Sequence, residues 1–256
     1  MVKVTIGIDC GSAACKGALF INGGVVATCV RPTGWSPKET AQAVLEELLS
    51  KAKVSREETF VVVTGYGRLG IDFADKKVTE ITCHAWGAEF LLPGVQTVID
   101  IGGQDSKVIA LQKGKVKTFQ MNNKCAAGTG RFLEMSAHRM GIDLSEFPVL
   151  LETGKSCSLS SMCAVFADSE IITLLAAGKS REEVAGGIIR SVVARVVALA
   201  NKIEIRPPIL LTGGLADFEG LRLELEKQLG SPVAALPLSR FAGAIGAAKI
   251  HTPGQD

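Results

Sequence analysis

Aromatic residues are scarce in this 256-residue sequence: ten Phe, two Trp and one Tyr make up 5% of it. That composition suits closely packed helices and tight turns rather than a broad aromatic binding face. An excess of charge of one sign is also missing. The 28 Lys and Arg residues against 26 Asp and Glu leave a net charge of +2, and with no basic run nucleic-acid binding has no support. No stretch reads as a membrane span. The longest apolar segment, around Val184 to Ile203, is broken by Arg190, Arg195 and Lys202 and reads as a buried core helix. The chain opens on a strand pattern without the charged segment and apolar core of a signal peptide. Its seven cysteines include no CxxC pair and no Cys/His set at zinc spacing. These absences argue against a disulfide framework and a local four-ligand metal site, and for a reducing cytoplasm.

What is present is glycine, 28 residues of it, in a chain long enough for one large domain or two compact ones. Val2 to Asp9 alternates as a strand, the turn Cys10-Gly11-Ser12-Ala13-Ala14-Cys15 follows, and Lys16 to Ile21 resumes a strand. Gly23-Gly24 reads as a hairpin turn into Val25 to Val30. Asp9 at the end of the first strand, the turn's N–H groups, the Ser12 hydroxyl and Lys16 together offer a phosphate site. It is not a Walker loop, because no helix follows and the lysine spacing differs. Ser36 caps a helix that starts at Pro37, carries Glu39 at its third position and runs to about Lys53. A buried strand, Phe60 to Thr64, ends in the loop Gly65-Tyr66-Gly67-Arg68, a connector or part of a docking surface. The helix Thr82 to Leu92 carries Cys83 and His84, and a lone histidine there reads as a hydrogen-bonded structural residue.

The pattern then repeats. Thr97 to Asp100 is a strand, Ile101-Gly102-Gly103-Gln104-Asp105 a glycine-rich turn, and Lys107 to Leu111 a strand that turns at Gly114 into Val116 to Met121. A repeated supersecondary unit implies two similar halves facing each other. Asp9 and Asp100 then converge on one cleft, where two carboxylates beside a phosphate chain call for a divalent cation, Mg2+.

Beyond the repeat, Asn122-Asn123-Lys124-Cys125-Ala126-Ala127-Gly128-Thr129-Gly130-Arg131 puts a cysteine and a glycine-rich turn ahead of an amphipathic helix. The apolar positions of that helix are Phe132, Leu133, Met135, Ala137 and Met140. A new helix offers unpaired N–H groups, and its dipole favours a thiolate. The stretch therefore suits an anion, a reactive or metal-binding sulfur, or both. Cys163 stands at the start of another helix, Ala164 to Ala177, so the two cysteines are expected at the same position relative to two helices. Ser180 and Glu183 form a capping box for the long apolar helix, which Pro207-Pro208 stops. The strand Ile209 to Leu211 delivers Thr212-Gly213-Gly214-Leu215-Ala216, a turn suited to close passage of a nucleoside. A last helix, Phe241 to Ile250, is expected to pack back on the first half.

Three of these turns, around Asp9-Cys10-Gly11-Ser12, Asp100 to Asp105 and Thr212-Gly213-Gly214, resemble in order and topology the actin, heat-shock chaperone and sugar-kinase superfamily. Within it the chain resembles the activator ATPases of 2-hydroxyacyl-CoA dehydratases, together with the related ATPase subunits of benzoyl-CoA reductases. The segments that carry this are Gly11 to Lys16, Gly65 to Arg68, Asp100 to Asp105, Lys124 to Phe132 and Cys163 to Glu170. They span nearly the whole chain. Asp168 departs from the Glu expected there.

The resemblance implies an α/β fold of duplicated actin-like (ribonuclease H-like) halves around a nucleotide cleft. Residues 1–95, with 239–256 packing back, form one half, and 96–238 form the half carrying the cluster cysteines. It implies a homodimer holding one 4Fe–4S cluster on Cys125 and Cys163 of both chains. It implies ATP or ADP bound by Gly11, Ser12, Ala13, Ala14, Cys15, Lys16, Gly102, Gly103, Gln104, Asp105, Gly128, Gly130, Gly213 and Gly214. Mg2+ is then held through water by Asp9 and Asp100, and Gln104 orients the attacking water. The function implied is ATP-driven delivery of single electrons, reloaded by ferredoxin or flavodoxin, to a dehydratase-type or reductase partner. Two other classes compete: a small-molecule kinase, for which no acceptor pocket is written, and an ATP-dependent assembly module, for which no peptide-binding domain follows.

Overall fold

Two five-stranded sheets with the same connectivity form the frame, as the repeat in the sequence requires. The computed structural model describes residues 4–122, 125–160 and 163–250. Val2 and Lys3 of the first strand pattern, Asn123 and Lys124 of the cysteine stretch, Ser161 and Met162 before Cys163, and the tail 251–256 lie outside the described residues.

The first half runs β1 (Val4–Cys10), β2 (Ala14–Ile21), β3 (Gly24–Pro32), α1 (Pro37–Ala52), β4 (Thr59–Thr64), β5 (Lys76–Lys77) and α2 (Glu80–Leu91). The second repeats the three-strand opening as β6 (Thr97–Ile101), β7 (Ser106–Gln112) and β8 (Lys115–Asn122). Where the first half has one helix, the second then has α3 (Gly130–Met140), α4 (Phe147–Leu151), α5 (Ala164–Ala176) and α6 (Arg181–Ala200). It closes with β9 (Ile209–Gly213), α7 (Glu219–Leu229), β10 (Val233–Ala234) and α8 (Ala242–Lys249). The sheets are ordered β3-β2-β1-β4-β5 and β10-β9-β6-β7-β8, the same order read from opposite edges.

Each sheet is covered on both faces, which is why β1 and β6 are buried along their whole length. In the first half, Val44, Leu45 and Leu48 of α1 cover Ile6 and Ile8. The other face takes α8 from the far end of the chain, through Ala244, Ile245 and Ala248. In the second half, the α6 residues Val192, Val193 and Val196 cover Ile99 and Ile101, while Ala85 and Ala88 of α2 cover Val98. The last helix of each half thus lies on the other half's sheet. The two exchanged helices cross at backbone distance: a side chain at Gly87 would run into the Ala242 carbonyl, and one at Gly246 into that of Cys83. Burying each Val, Ile or Leu in these layers contributes roughly 1.5–3 kcal/mol.

Local chemistry explains the element ends. Ser36 accepts from the Glu39 N–H, and Ser180 and Glu183 form the reciprocal capping box that starts α6. Several expectations are corrected. The first hairpin turns at Asn22-Gly23, both at positive φ, because two adjacent left-handed residues match the strand twist and Asn-Gly supplies them. Met135 is 38% exposed, since Ser136, not Met135, completes the buried face of α3. The long helix ends at Ala200, well before Pro207. Helix α7, which buries only Leu221 and Leu225, carries too thin an apolar stripe to stand out in the sequence.

Candidate nucleotide site and cysteine pair

The cleft floor is built twice from the same parts. Asp9 on β1 faces Lys16 across β2 and Thr64 across β4. Asp100 on β6 faces Lys107 across β7 and Thr212 across β9. The turns that follow are closed alike, Gly11 N–H donating to the Ala14 carbonyl at 3.2 Å and Gly102 N–H to the Asp105 carbonyl at 2.9 Å. β4 leaves through Gly65 and β9 ends on Gly213, at φ +88° and +93°, where a side chain would collide with the carbonyls of Cys10 and Ile101. Only glycine fits there. Across the cleft the two turns abut, and a side chain at Gly103 would run into Ala13.

These parts enclose a cavity of about 450 Å³, a size suited to a small-molecule ligand. Of the residues assigned to nucleotide, Gly11 to Ala14 with Lys16, Gly102 to Asp105, Gly130, and Gly213-Gly214 line it, together with Asp9 and Asp100. Two do not. Cys15 alternates to the opposite face of β2 and is buried in the first-half core. Gly128 backs onto the Arg195 side chain, and its carbonyl accepts from Ser106 Oγ at 2.5 Å.

The charges are unevenly matched. Lys16 is buried and lines the cavity, and its ammonium makes no ion pair or hydrogen bond among the described residues. Lys107, 1% exposed, is held by Glu80 at 2.9 Å, Asp105 at 2.8 Å and Asp100 at 3.3 Å. Thr212 Oγ1 donates to Asp100 Oδ1 at 2.9 Å, and His84 Nδ1 lies 3.4 Å from that oxygen. Asp9 Oδ1, by contrast, is buried with no hydrogen-bond partner. Burial and the nearby Glu80 push the Asp9 carboxyl up. Burial also acts on Asp100, but His84, Lys107 and Lys16 outweigh it and hold that carboxyl below the usual range. An orphaned buried carboxylate oxygen beside an unpaired ammonium fits a site for a hydrated Mg2+ and phosphate.

The cysteine stretch departs from expectation. Cys163 is the N-cap of α5, but α3 is capped by Thr129, so Cys125 stands in the preceding turn. The two cysteines do not share a position relative to their helices, because the Gly128-Thr129 turn intervenes. Nor is the start of α3 an open anion site. Its Gly130 and Arg131 N–H groups donate to the carbonyls of Gly102 and Gly103 at 2.9 and 2.8 Å. Asn122 holds the cysteine turn: its side-chain amide donates to the carbonyls of Cys125 (2.8 Å) and Ala127 (3.1 Å), and its oxygen accepts from Cys125 N–H at 3.2 Å. The Gly102-Gly103 turn is therefore bonded to the start of α3, directly after the cysteine turn. Of the seven free cysteines, Cys125 is exposed and Cys163 half-buried, and the other five are buried. The departing Asp168 is bonded through both oxygens to Arg139, each at 2.6 Å, tying α5 to α3.

Glu80, His84, Lys107 and Arg240 join the cleft without having been singled out for it. Lys107 carried a signal, since Asp9 to Lys16 and Asp100 to Lys107 have the same spacing. Glu80, His84 and Arg240 reach the cleft through the helix exchange and the chain's return before α8, and no local pattern marks them.

Comparison with known proteins agrees with this geometry. The chain is 42% identical over 248 residues to the (R)-2-hydroxyglutaryl-CoA dehydratase activating ATPase of Acidaminococcus fermentans, covering 95% of each. The crystal structure of that component A superposes with a TM-score of 0.94 at 41% identity, covering 97% of each chain. The activator of the 2-hydroxyisocaproyl-CoA dehydratase from Clostridium difficile with bound ADPNP superposes at 0.93 with 38% identity, covering 97% of this chain and 94% of that one. One of the subunits of the benzoyl-CoA reductase of Thauera aromatica is 32% identical over 261 residues, 96% of this chain and 92% of that protein. The fold is thus the duplicated actin-like α/β fold, and residues 6–250 match one family profile throughout. The chain belongs to the BadF/BadG/BcrA/BcrD ATPase family.

Proposed function

We propose that this protein is an ATP-driven one-electron donor that activates a 2-hydroxyacyl-CoA dehydratase-type partner. The observation that carries the reading is the bonded path from the phosphate turn, through Gly102 and Gly103, to the turn holding Cys125. Nucleotide lies between the Asp9 and Asp100 turns, with Lys16 and the turn from Gly11 to Ala14 facing its phosphates. Gly213-Gly214 lets the nucleoside pass close to the backbone. Gln104, exposed on the second turn, orients the attacking water. Residues 1–95 with the C-terminal helix, and residues 96–238, act as the halves that close on nucleotide.

Two chains pair through Cys125 and Cys163, since four thiolates make one 4Fe–4S site and a single chain offers two surface cysteines. Around Cys163, α5 exposes Val165, Phe166 and Ile172, an apolar set that a second copy would cover. The cluster would supply one stored electron, and Mg2+ would neutralise phosphate charge. Ferredoxin or flavodoxin reloads the protein in a reducing cytoplasm, and no helix among the described residues is long and apolar enough to cross a membrane. The higher identity to dehydratase activators than to the reductase protein favours a dehydratase-type partner.

Iron analysis and partner activation test this together. Anaerobically purified protein should carry four iron atoms per two chains, and with ATP and a reductant should switch on an inactive 2-hydroxyacyl-CoA dehydratase. Serine at Cys125 or Cys163 should remove the iron and leave ATP binding; serine at Cys157 should remove nothing. Iron-free wild type, or full iron in Cys163→Ser, contradicts the reading.

A further inference from the structure

The two cleft aspartates occupy duplicated positions, yet their surroundings give them different work. Both oxygens of Asp100 are engaged, Oδ2 by Lys107 at 3.3 Å and Oδ1 by Thr212 at 2.9 Å with His84 alongside. Glu80, His84 and Asp100 hold ligand atoms within 4.8 Å of one another, the geometry of a cation cage. A cation already sits against it, because the Lys107 ammonium bonds Glu80 and Asp100. Its remaining proton goes to Asp105 at 2.8 Å, so three donors meet three carboxylates. Lys107 and Asp100, 1% and 2% exposed, are fixed in place, since removing the lysine strands buried carboxylate charge.

Asp9 is built the other way. Its Oδ1 is buried without a hydrogen-bond partner, and the space around the carboxylate is kept by two glycines. A side chain at Gly65 would come within 2.6 Å of Oδ1, and one at Gly243 within 2.6 Å of Oδ2. Its duplicated lysine, Lys16, makes no ion pair with it within 4 Å.

We propose that the cleft takes a single divalent cation on the Asp9 side, and that the Lys107 ammonium fills the place of a second cation on the Asp100 side. Lys107 is then a positioning residue: it fixes Asp100, draws in Glu80 of the exchanged helix, and holds Asp105 at the foot of the phosphate turn. The inference rests on the nucleotide reading of the cleft.

Counting Mn2+ on the purified protein tests it, by equilibrium dialysis and by the EPR signal of free Mn2+, with ADPNP present. Wild type should bind one Mn2+ per chain. Asp9→Asn should weaken that binding tenfold or more, whereas Asp100→Asn, which keeps its shape, should change it less than about threefold. Lys107→Met empties the cage and should take up a second Mn2+; Lys107→Arg should return the count to one. Equal weakening by Asp9→Asn and Asp100→Asn overturns the inference, and so does a single Mn2+ in folded Lys107→Met. The two asparagine variants decide the question alone if Lys107→Met does not fold. Binding of labelled ADPNP in the presence of Mn2+, read separately from the metal count, separates the two levels. Wild type that binds no ADPNP sinks the nucleotide reading and this inference with it. Wild type that binds ADPNP while its Mn2+ depends on Asp100 sinks this inference only.

Discussion

The two halves carry the same hairpin 91 residues apart, Asp9 matching Asp100, Gly11 matching Gly102 and Lys16 matching Lys107. They use it for opposite ends. In the first half the position before Cys15 is Ala14; in the second its counterpart is Asp105, which bonds Lys107. That one difference, with Glu80 arriving on α2, turns the second lysine inward and leaves the first free to face a ligand. A duplicated fold therefore supplies two equivalent sites, and a few side chains decide which one stays open to ligand and which becomes internal structure.

The strongest way to break this comparison is to remove each lysine. Lys107→Met strands three carboxylates and should cost about 3–5 kcal/mol in urea unfolding. Lys16→Met should cost less than about 1 kcal/mol, but weaken ATP binding by roughly ten- to a hundredfold, the worth of one charge-assisted hydrogen bond. Equal stability losses in the two variants would erase the distinction.

The turns themselves are separated by Gln104, whose counterpart in the first half is Ala13. Gln104→Ala should leave nucleotide affinity nearly unchanged and slow ATP turnover by about 10²–10³-fold, typical of one positioned polar group. Turnover at the parental rate would return the water-orienting role to some other residue.

The smallest effect is a difference of sign between the aspartates, measured by thermal unfolding without nucleotide or metal. Burial and Glu80 hold Asp9 above its ordinary 3.8, so the folded chain keeps a proton that the unfolded chain has already lost. Stability then falls as pH rises from 3.8 through the raised value, and Asp9→Asn should raise the midpoint at pH 7. Asp100 is held below 3.8 despite its burial, by His84, Lys107 and Lys16. Its contribution is present above 3.8 and lost as pH falls below it, so Asp100→Asn should lower the midpoint at pH 7. Shifts of the same sign would show the environments to be alike.

Much of this was legible in the sequence, because strand alternation, Asp-Gly turns and caps are local. Asp9, Asp100, Gly102-Gly103 and Gly213-Gly214 stand where those patterns put them. The misses follow from what is not local. Cys15 belongs to the core because side chains alternate along a strand, and its place in a phosphate-like turn hid that. Cys125 stands apart from its helix because Gly128 and Thr129 make a turn held by Ser106 of β7, and Gly130 after it donates to Gly102 in the turn between β6 and β7. Glu80 and His84 enter the site only through the exchange of α2 and α8 between sheets, a tertiary event with no sequence period. The Thr-Gly pairs ending β4 and β9 are a repeat in plain view, Val63-Thr64-Gly65 against Leu211-Thr212-Gly213, yet the first reads as an ordinary loop until the sheets are superposed.

The central claim is that the nucleotide cleft drives the cysteine turn. Gly102 and Gly103 accept from the start of α3, Ser106 holds Gly128, and Asn122 holds Cys125, so closing the cleft should move Cys125. Chelator-driven bleaching of the reduced, anaerobic protein measures this directly, followed without nucleotide, with ADP and with ATP. Bleaching should be fastest with ATP and slower in the other two states. Equal rates in all three would contradict the account.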